Sequence, residues 1–104
     1  MPRYYPAFLD LRGKWALVVG GGAVALRKVQ LLLSCGARVR LVSPRVTPPV
    51  SRLRSSIDLI ARPWEAADLD GVWIAFAATD DRDVNARVAR EARARGSMVN
   101  VADT

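Results

Sequence analysis

Gly20, Gly22 and Ala25 open the stretch GGGAVALRK at the spacing G-x-G-x-x-A. The apolar run KWALVV, Lys14 to Val19, leads straight into them, and a segment of helical periodicity leads out. At such a strand-to-helix turn the first glycine permits the tight bend, and the second lets a pyrophosphate come up against the backbone. The small third residue lets the helix pack on the sheet. Free N–H groups and the positive end of the helix dipole then hold the phosphates. Gly21 fills a variable position and adds room without being required by the pattern. The chemistry implied is dinucleotide binding.

A carboxylate for the adenosine ribose is expected to close the second strand about twenty residues further on. Ser43 stands there instead, followed by Pro44 and Arg45. A serine still hydrogen-bonds a ribose hydroxyl and an arginine can meet a 2′-phosphate, so these residues alone leave NAD and NADP both open. Arg45 is equally readable as an exposed loop charge. Arg27 and Lys28 read either as phosphate or substrate contacts or as a wet helix face. Asp80 and Asp81 read as helix caps, and Cys35 as a packed small hydrophobe. Trp15, Trp64 and Trp73 read as core or rim packing, and the arginines from Arg82 to Arg95 as a solvated face.

The elements that must position these residues follow from periodicity. Lys14–Val19 reads as a strand buried on both faces. Val24–Ser34 reads as a helix with Val24, Leu31 and Leu32 as its apolar positions and Gly36 just past its end. RVRLV, Arg38–Val42, alternates as a second strand. SPRVTPPV breaks the chain, with Thr47 and Pro48 starting a short helix that runs to about Ser55. IDLIA, Ile57–Ala61, is a third strand, followed by a loop with one helical turn over 62–71. VWIAFAA, Val72–Ala78, is a fourth, and a helix with Val84, Val88 and Ala92 on one face closes at Gly96. MVNVA, Met98–Ala102, is a fifth strand. Strands alternating with helices predict an α/β, Rossmann-like, doubly wound and mostly parallel five-stranded sheet of order 3-2-1-4-5.

The 104 residues allow one domain, and 51% of them are apolar. No apolar stretch approaches the ~20 residues needed to span a bilayer. With no histidine, every His-based metal site, triad or general base is excluded, and one cysteine forms no internal disulfide. A reducing, cytoplasmic setting fits. The formal net charge of +6 favours an anionic partner: nucleic acid, a phosphorylated cofactor or a polycarboxylate. Nucleic acid is the weakest of these, because no groove-reading helix or ladder of exposed aromatics is legible.

VVGGGAVALRKVQLLLSCGARVRLVSP, AFAATDDRDVN, VNVADT and the opening YYPAFLDLRGK together resemble the N-terminal domain of siroheme synthases, the precorrin-2 dehydrogenase (sirohydrochlorin ferrochelatase) family. The likeness runs through essentially the whole chain. It implies NAD-dependent oxidation of precorrin-2 to sirohydrochlorin, in many members with insertion of ferrous iron. It assigns catalysis to the aspartate of N-V-x-D, here Asp103. It places dinucleotide contacts on Gly22, Ala23 and Val24, on Ser43, Pro44 and Arg45, and, near the nicotinamide, on Ala78 and Thr79. NAD is the cofactor it implies, a tetrapyrrole the partner, and a homodimer the assembly of the full-length protein.

Elementary chemistry agrees. A carboxylate at the C-terminal end of a parallel strand stands where doubly wound sheets bind ligands, and loss of hydride from a reduced tetrapyrrole needs a base for the accompanying proton. The family pattern continues beyond this point with dimerisation and helical domains. Residues 1–104 are therefore expected to be one NAD-binding domain, a fragment or a minimal version. The competing reading is a non-catalytic dinucleotide-binding regulatory module, which would have no use for Asp103.

Overall fold

The computed structural model describes residues 3–102. In chain order it contains β1 (Trp15–Val19), α1 (Ala23–Ser34), β2 (Arg38–Val42), α2 (Pro48–Ser51), β3 (Asp58–Ile60), a 3₁₀ turn (Ala66–Leu69), β4 (Val72–Ala77), α3 (Arg82–Ala94) and β5 (Met98–Val101). The five strands form one sheet of order β3-β2-β1-β4-β5, and every neighbouring pair is parallel. The expected topology is the observed one.

Alternation along β1 divides the core in two. Ala16 and Val18 face α1 and α2, where they pack with Ala25, Val29, Leu32, Val39, Leu41 and Val50. Leu17 and Val19 face the other way, toward Leu69, Val88 and Ala92. Each fully buried aliphatic side chain contributes on the order of 1.5–3 kcal/mol relative to exposure. A central strand covered on both faces therefore reads as a continuous apolar run.

Local differences from expectation have local causes. The buried stripe of α1 is Ala25, Val29 and Leu32, while Leu31 points to solvent at 62% exposure. The small Ala25 brings the helix close to the sheet and turns Leu31 away. Helix α2 ends at Ser51, because beyond it the bonds tighten to three-residue spacing, Leu53 to Val50, Arg54 to Ser51 and Ser56 to Leu53. Thr47 starts α2 but gives it no side-chain cap. Of the two aspartates before α3, Asp81 alone caps it. Cys35 is exposed rather than packed, as the residue that ends α1 at the edge of the layer. Trp15 and Trp73 lie under cations: Arg38 and Arg40 stack on Trp15 at 4.5 and 5.0 Å, and Lys14 stands 5.7 Å over Trp73.

One polar cluster shapes the connection from β3 to β4. The Arg62 guanidinium donates to both carboxylate oxygens of Asp68, at 2.9 and 2.6 Å, and the Glu65 N–H donates to Asp68 Oδ2 at 2.7 Å. Arg40 reaches across from β2 to donate to the Asp68 carbonyl at 2.7 Å. A bidentate pair of this kind fixes geometry as well as adding energy. It sets the path of Pro63 and Trp64, which return to the C-terminal ends of the strands.

The Arg62 hydrogen bond is the main reason that the Asp68 carboxyl is held below the usual carboxylate range, against the opposing effect of its burial. A carboxyl depressed in the folded state stabilises it above the unfolded pKa, and that contribution fades as pH falls through the folded value. Asp68→Asn is accordingly expected to lower the melting temperature by a few degrees at neutral pH. The gap between parent and variant should close as the pH is taken below about 4. Thermal unfolding across an acid series checks it; a gap independent of pH would refute the role given to this ion pair.

Candidate functional site

The loops leaving β1, β2, β3 and β4 enclose a cleft of about 830 Å³ at the C-terminal edge of the sheet. It sits where α1 and α3 depart to opposite faces, the switch point at which doubly wound sheets take ligands. Gly20, Gly22, Ala23, Val24, Ser43, Pro44, Arg45, Ala78 and Thr79 all line it.

The three glycines answer to different constraints. Gly20 adopts φ +136°, and a Cβ there would collide with the Ala78 carbonyl, 2.8 Å from its carbon. Gly21 is required after all, although the sequence pattern left it optional. A Cβ on it would strike the Arg45 carbonyl oxygen and come within 2.9 Å of Val46 Cα, because the loop after β2 lies directly against the glycine turn. The Thr47 N–H donates to the Gly21 carbonyl at 2.9 Å and locks that contact.

Gly22 differs from both. Nothing lies within 4 Å of where its Cβ would be, so the space beside it is left open in the cleft. It is also the N-cap of α1, with no side chain capping the helix and no acidic residue in the first turn. At the other helix facing the cleft, Asp81 accepts from the N–H groups of Asp83 and Val84 at 2.9 and 3.2 Å. One helix start is closed by its own carboxylate, the other left unpaired and electropositive. A diphosphate fits the second.

Around this cradle the loops are held by side chains. The Ser43 hydroxyl is 8% exposed as a residue and donates to the Arg45 carbonyl at 2.6 Å, leaving its lone pairs for a ligand hydroxyl. The Thr79 hydroxyl donates to Asn85 Oδ1 at 2.6 Å, and Asn85 Nδ2 donates back to the Thr79 carbonyl at 2.9 Å. Asn85, buried within the first turns of α3, is the residue that sequence reasoning missed. The available signal was a poor helix former placed four residues after the Asp81 cap.

Trp64 forms part of the cleft wall, and its indole N–H is buried without an acceptor among the described residues. Arg45 and Arg87 are the cleft's cations, Asp80 and Asp81 its carboxylates. Arg27 and Lys28 do not line it; Lys28 instead stands 5.7 Å over the ring of Phe76. The Ala102 N–H donates to the Ala77 carbonyl at 2.9 Å, which fixes the chain beside the end of β4. Asp103, the next residue, lies outside the described residues. Among those described, no cluster of three or more His, Cys, Asp or Glu side chains is placed to hold a metal ion.

A model of an NAD(P)-binding family matches residues 7–104. The chain belongs to that NAD(P)-binding family. It is similar to siroheme synthases, at 44% identity over 101 residues to that of Ectopseudomonas mendocina and 46% over 102 residues to that of Chromobacterium violaceum. These alignments take in 97% and 96% of the chain but 22% of each relative, so the chain spans about a fifth of the length of the curated relatives it matches. Among solved structures it resembles the precorrin-2 dehydrogenase SirC, with a TM-score of 0.83 and 29% identity over 97% of this chain and 50% of that one.

The glycine geometry separates folding from binding. Gly20→Ala and Gly21→Ala are expected to cost roughly 2–3 kcal/mol or more of stability, since backbone must move in each case. Gly22→Ala is expected to shift the melting temperature by no more than about 4 °C. Its methyl group projects into the cradle, so dinucleotide affinity should fall at least about tenfold. Paired thermal melts and NAD titrations decide this; a Gly22→Ala variant that binds as the parent does would place the phosphates elsewhere.

Proposed function

We propose that residues 1–104 form a single domain that binds NAD and serves, within a longer protein, in the oxidation of precorrin-2 to sirohydrochlorin in siroheme synthesis. The observation that carries this reading is the open, uncapped start of α1 beside Gly22, set in a cleft where every residue expected to touch the dinucleotide converges. The similarity to siroheme synthases and to a precorrin-2 dehydrogenase supports the choice of reaction.

In this reading Gly22, Ala23 and Val24 receive the pyrophosphate at the N-terminus of α1, and Gly20 supplies the bend that brings it there. Ser43, Pro44 and Arg45 border the adenosine ribose. Ala78 and Thr79, tied down by Asn85, form the floor under the nicotinamide. NAD, when bound, supplies the carbon that accepts a hydride.

Oxidation of the reduced tetrapyrrole releases that hydride and one proton, and the Asp103 carboxylate takes the proton. Asp103 follows Ala102 directly in the sequence, and the Ala102 N–H donates to the Ala77 carbonyl at the end of β4. A substrate bearing several carboxylates suits a chain of net charge +6.

Ferrous iron enters this reading as a second substrate, with the tetrapyrrole nitrogens as its main ligands and the aspartate as proton acceptor. The assembly proposed is a homodimer of the longer protein, and the compartment is the cytoplasm, in keeping with the free thiol of Cys35. No helix among the described residues is long and apolar enough to cross a membrane.

The test is anaerobic incubation of the chain, and of the longer protein that contains it, with precorrin-2 and NAD⁺, following NADH formation. Asp103→Asn is run beside each. NADH from the parent is expected, with at least about a hundredfold lower rate in the variant, the usual size of a general-base contribution. Tight NAD binding with no precorrin-2 oxidation in the longer protein would favour a regulatory nucleotide module instead.

A further inference from the structure

The end of β4 turns its hydrogen-bonding groups away from the cleft it lines. The Ala77 carbonyl accepts from the Ala102 N–H at 2.9 Å, and the Ala78 N–H donates to the Val19 carbonyl at 2.8 Å. The Ala78 carbonyl lies against Gly20. At Thr79 all three polar groups go to one side chain. Its N–H and its hydroxyl both donate to Asn85 Oδ1, at 3.2 and 2.6 Å, and its carbonyl accepts from Asn85 Nδ2 at 2.9 Å. The same hydroxyl accepts from the Asp81 N–H at 3.1 Å.

Asn85 is itself held in place. It is 7% exposed, and its own N–H bonds the Asp81 carbonyl at 3.0 Å in the first turn of α3. The other buried positions of this helix, Val88, Ala89 and Ala92, are apolar. An amide in that stripe costs helix propensity and desolvation, and its donor and acceptor are matched to the groups of Thr79. A buried amide satisfied in this way fixes its partner firmly. With N–H, O–H and C=O all engaged, what Thr79 has left to line the cleft is its methyl group. A carbon surface supports a flat ring by contact and covers one of its faces, leaving the other open to a hydride donor.

We propose that Asn85 is a positioning residue, which locks Thr79 so that its methyl group, and not its hydroxyl, meets the nicotinamide ring. This rests on the reading of the cleft as the NAD site and adds how the end of β4 meets the cofactor. The measurement is calorimetric titration with NAD⁺, paired with thermal melts, of the longer protein containing this chain as parent, Thr79→Ser, Thr79→Val, Asn85→Ala and Asn85→Asp. Steady-state kinetics with precorrin-2 follow for the Asn85 variants.

Thr79→Ser keeps the hydroxyl and loses the methyl group. It is expected to lower NAD⁺ affinity roughly fourfold, the worth of burying one such group. Thr79→Val should cost less affinity than Thr79→Ser but more in melting temperature, because Asn85 Oδ1 loses its hydroxyl donor. Asn85→Ala is expected to weaken NAD⁺ binding by about tenfold and to raise the KM for NAD⁺ while leaving that for precorrin-2 in place. Asn85→Asp, which keeps the acceptor but loses the donor, should fall between parent and alanine. A valine variant that loses more affinity than the serine variant overturns the proposal, since the hydroxyl would then be the ligand group. So does an Asn85→Ala protein whose melting temperature and kcat fall with NAD⁺ affinity unmoved. If Asn85→Ala does not fold, the order of the two Thr79 variants decides. If the parent binds no NAD⁺, the assignment of the cleft falls and this proposal with it.

Discussion

The structure depends on a place where backbone meets backbone. At the end of β1 the chain turns so tightly that Gly20 abuts the carbonyl of Ala78 and Gly21 abuts that of Arg45. Three loops, from β1, β2 and β4, converge within van der Waals contact, and no side chain fits between them. Close packing of this sort transmits position. The loop after β2 cannot shift without displacing the glycine turn, nor the loop after β4 without disturbing Gly20. The rigidity of the cleft is thus achieved by leaving out side chains.

The same convergence leaves Gly22 facing open space and the start of α1 without a partner of its own. A helix N-terminus normally meets its needs locally, as α3 does with Asp81. At α1 no such group is present among the described residues, and the four leading N–H groups are left to solvent or ligand. An uncapped helix start gives up local stability, an inconsistency of the kind expected at functional positions.

Side-chain hydrogen bonds then carry the order outward. Ser43 ties the loop after β2, Asn85 ties the loop after β4, and the Arg62–Asp68 pair braces the β3–β4 connection that carries Trp64. All three act on loops of an otherwise regular parallel sheet, the division of labour by which a fixed scaffold presents variable chemistry.

The sequence by itself determined the fold class, the strand order and the nucleotide turn. Both β1 and β4 are apolar on both faces, which only a sheet covered by helices on each side satisfies, and right-handed crossovers leave little choice of order. Glycine spacing and the family resemblance together named nine positions for the dinucleotide, and all nine line one cleft. What the tertiary structure alone decided is which residues constrain one another across the cleft. The need for glycine at position 21 arises from Arg45 and Val46, more than twenty positions away. The burial of Asn85, the exposure of Leu31 and Cys35, and the withdrawal of Lys28 onto Phe76 likewise depend on distances between elements. Periodicity reports which face of an element is apolar; how closely two elements approach is fixed only when their surfaces are packed together.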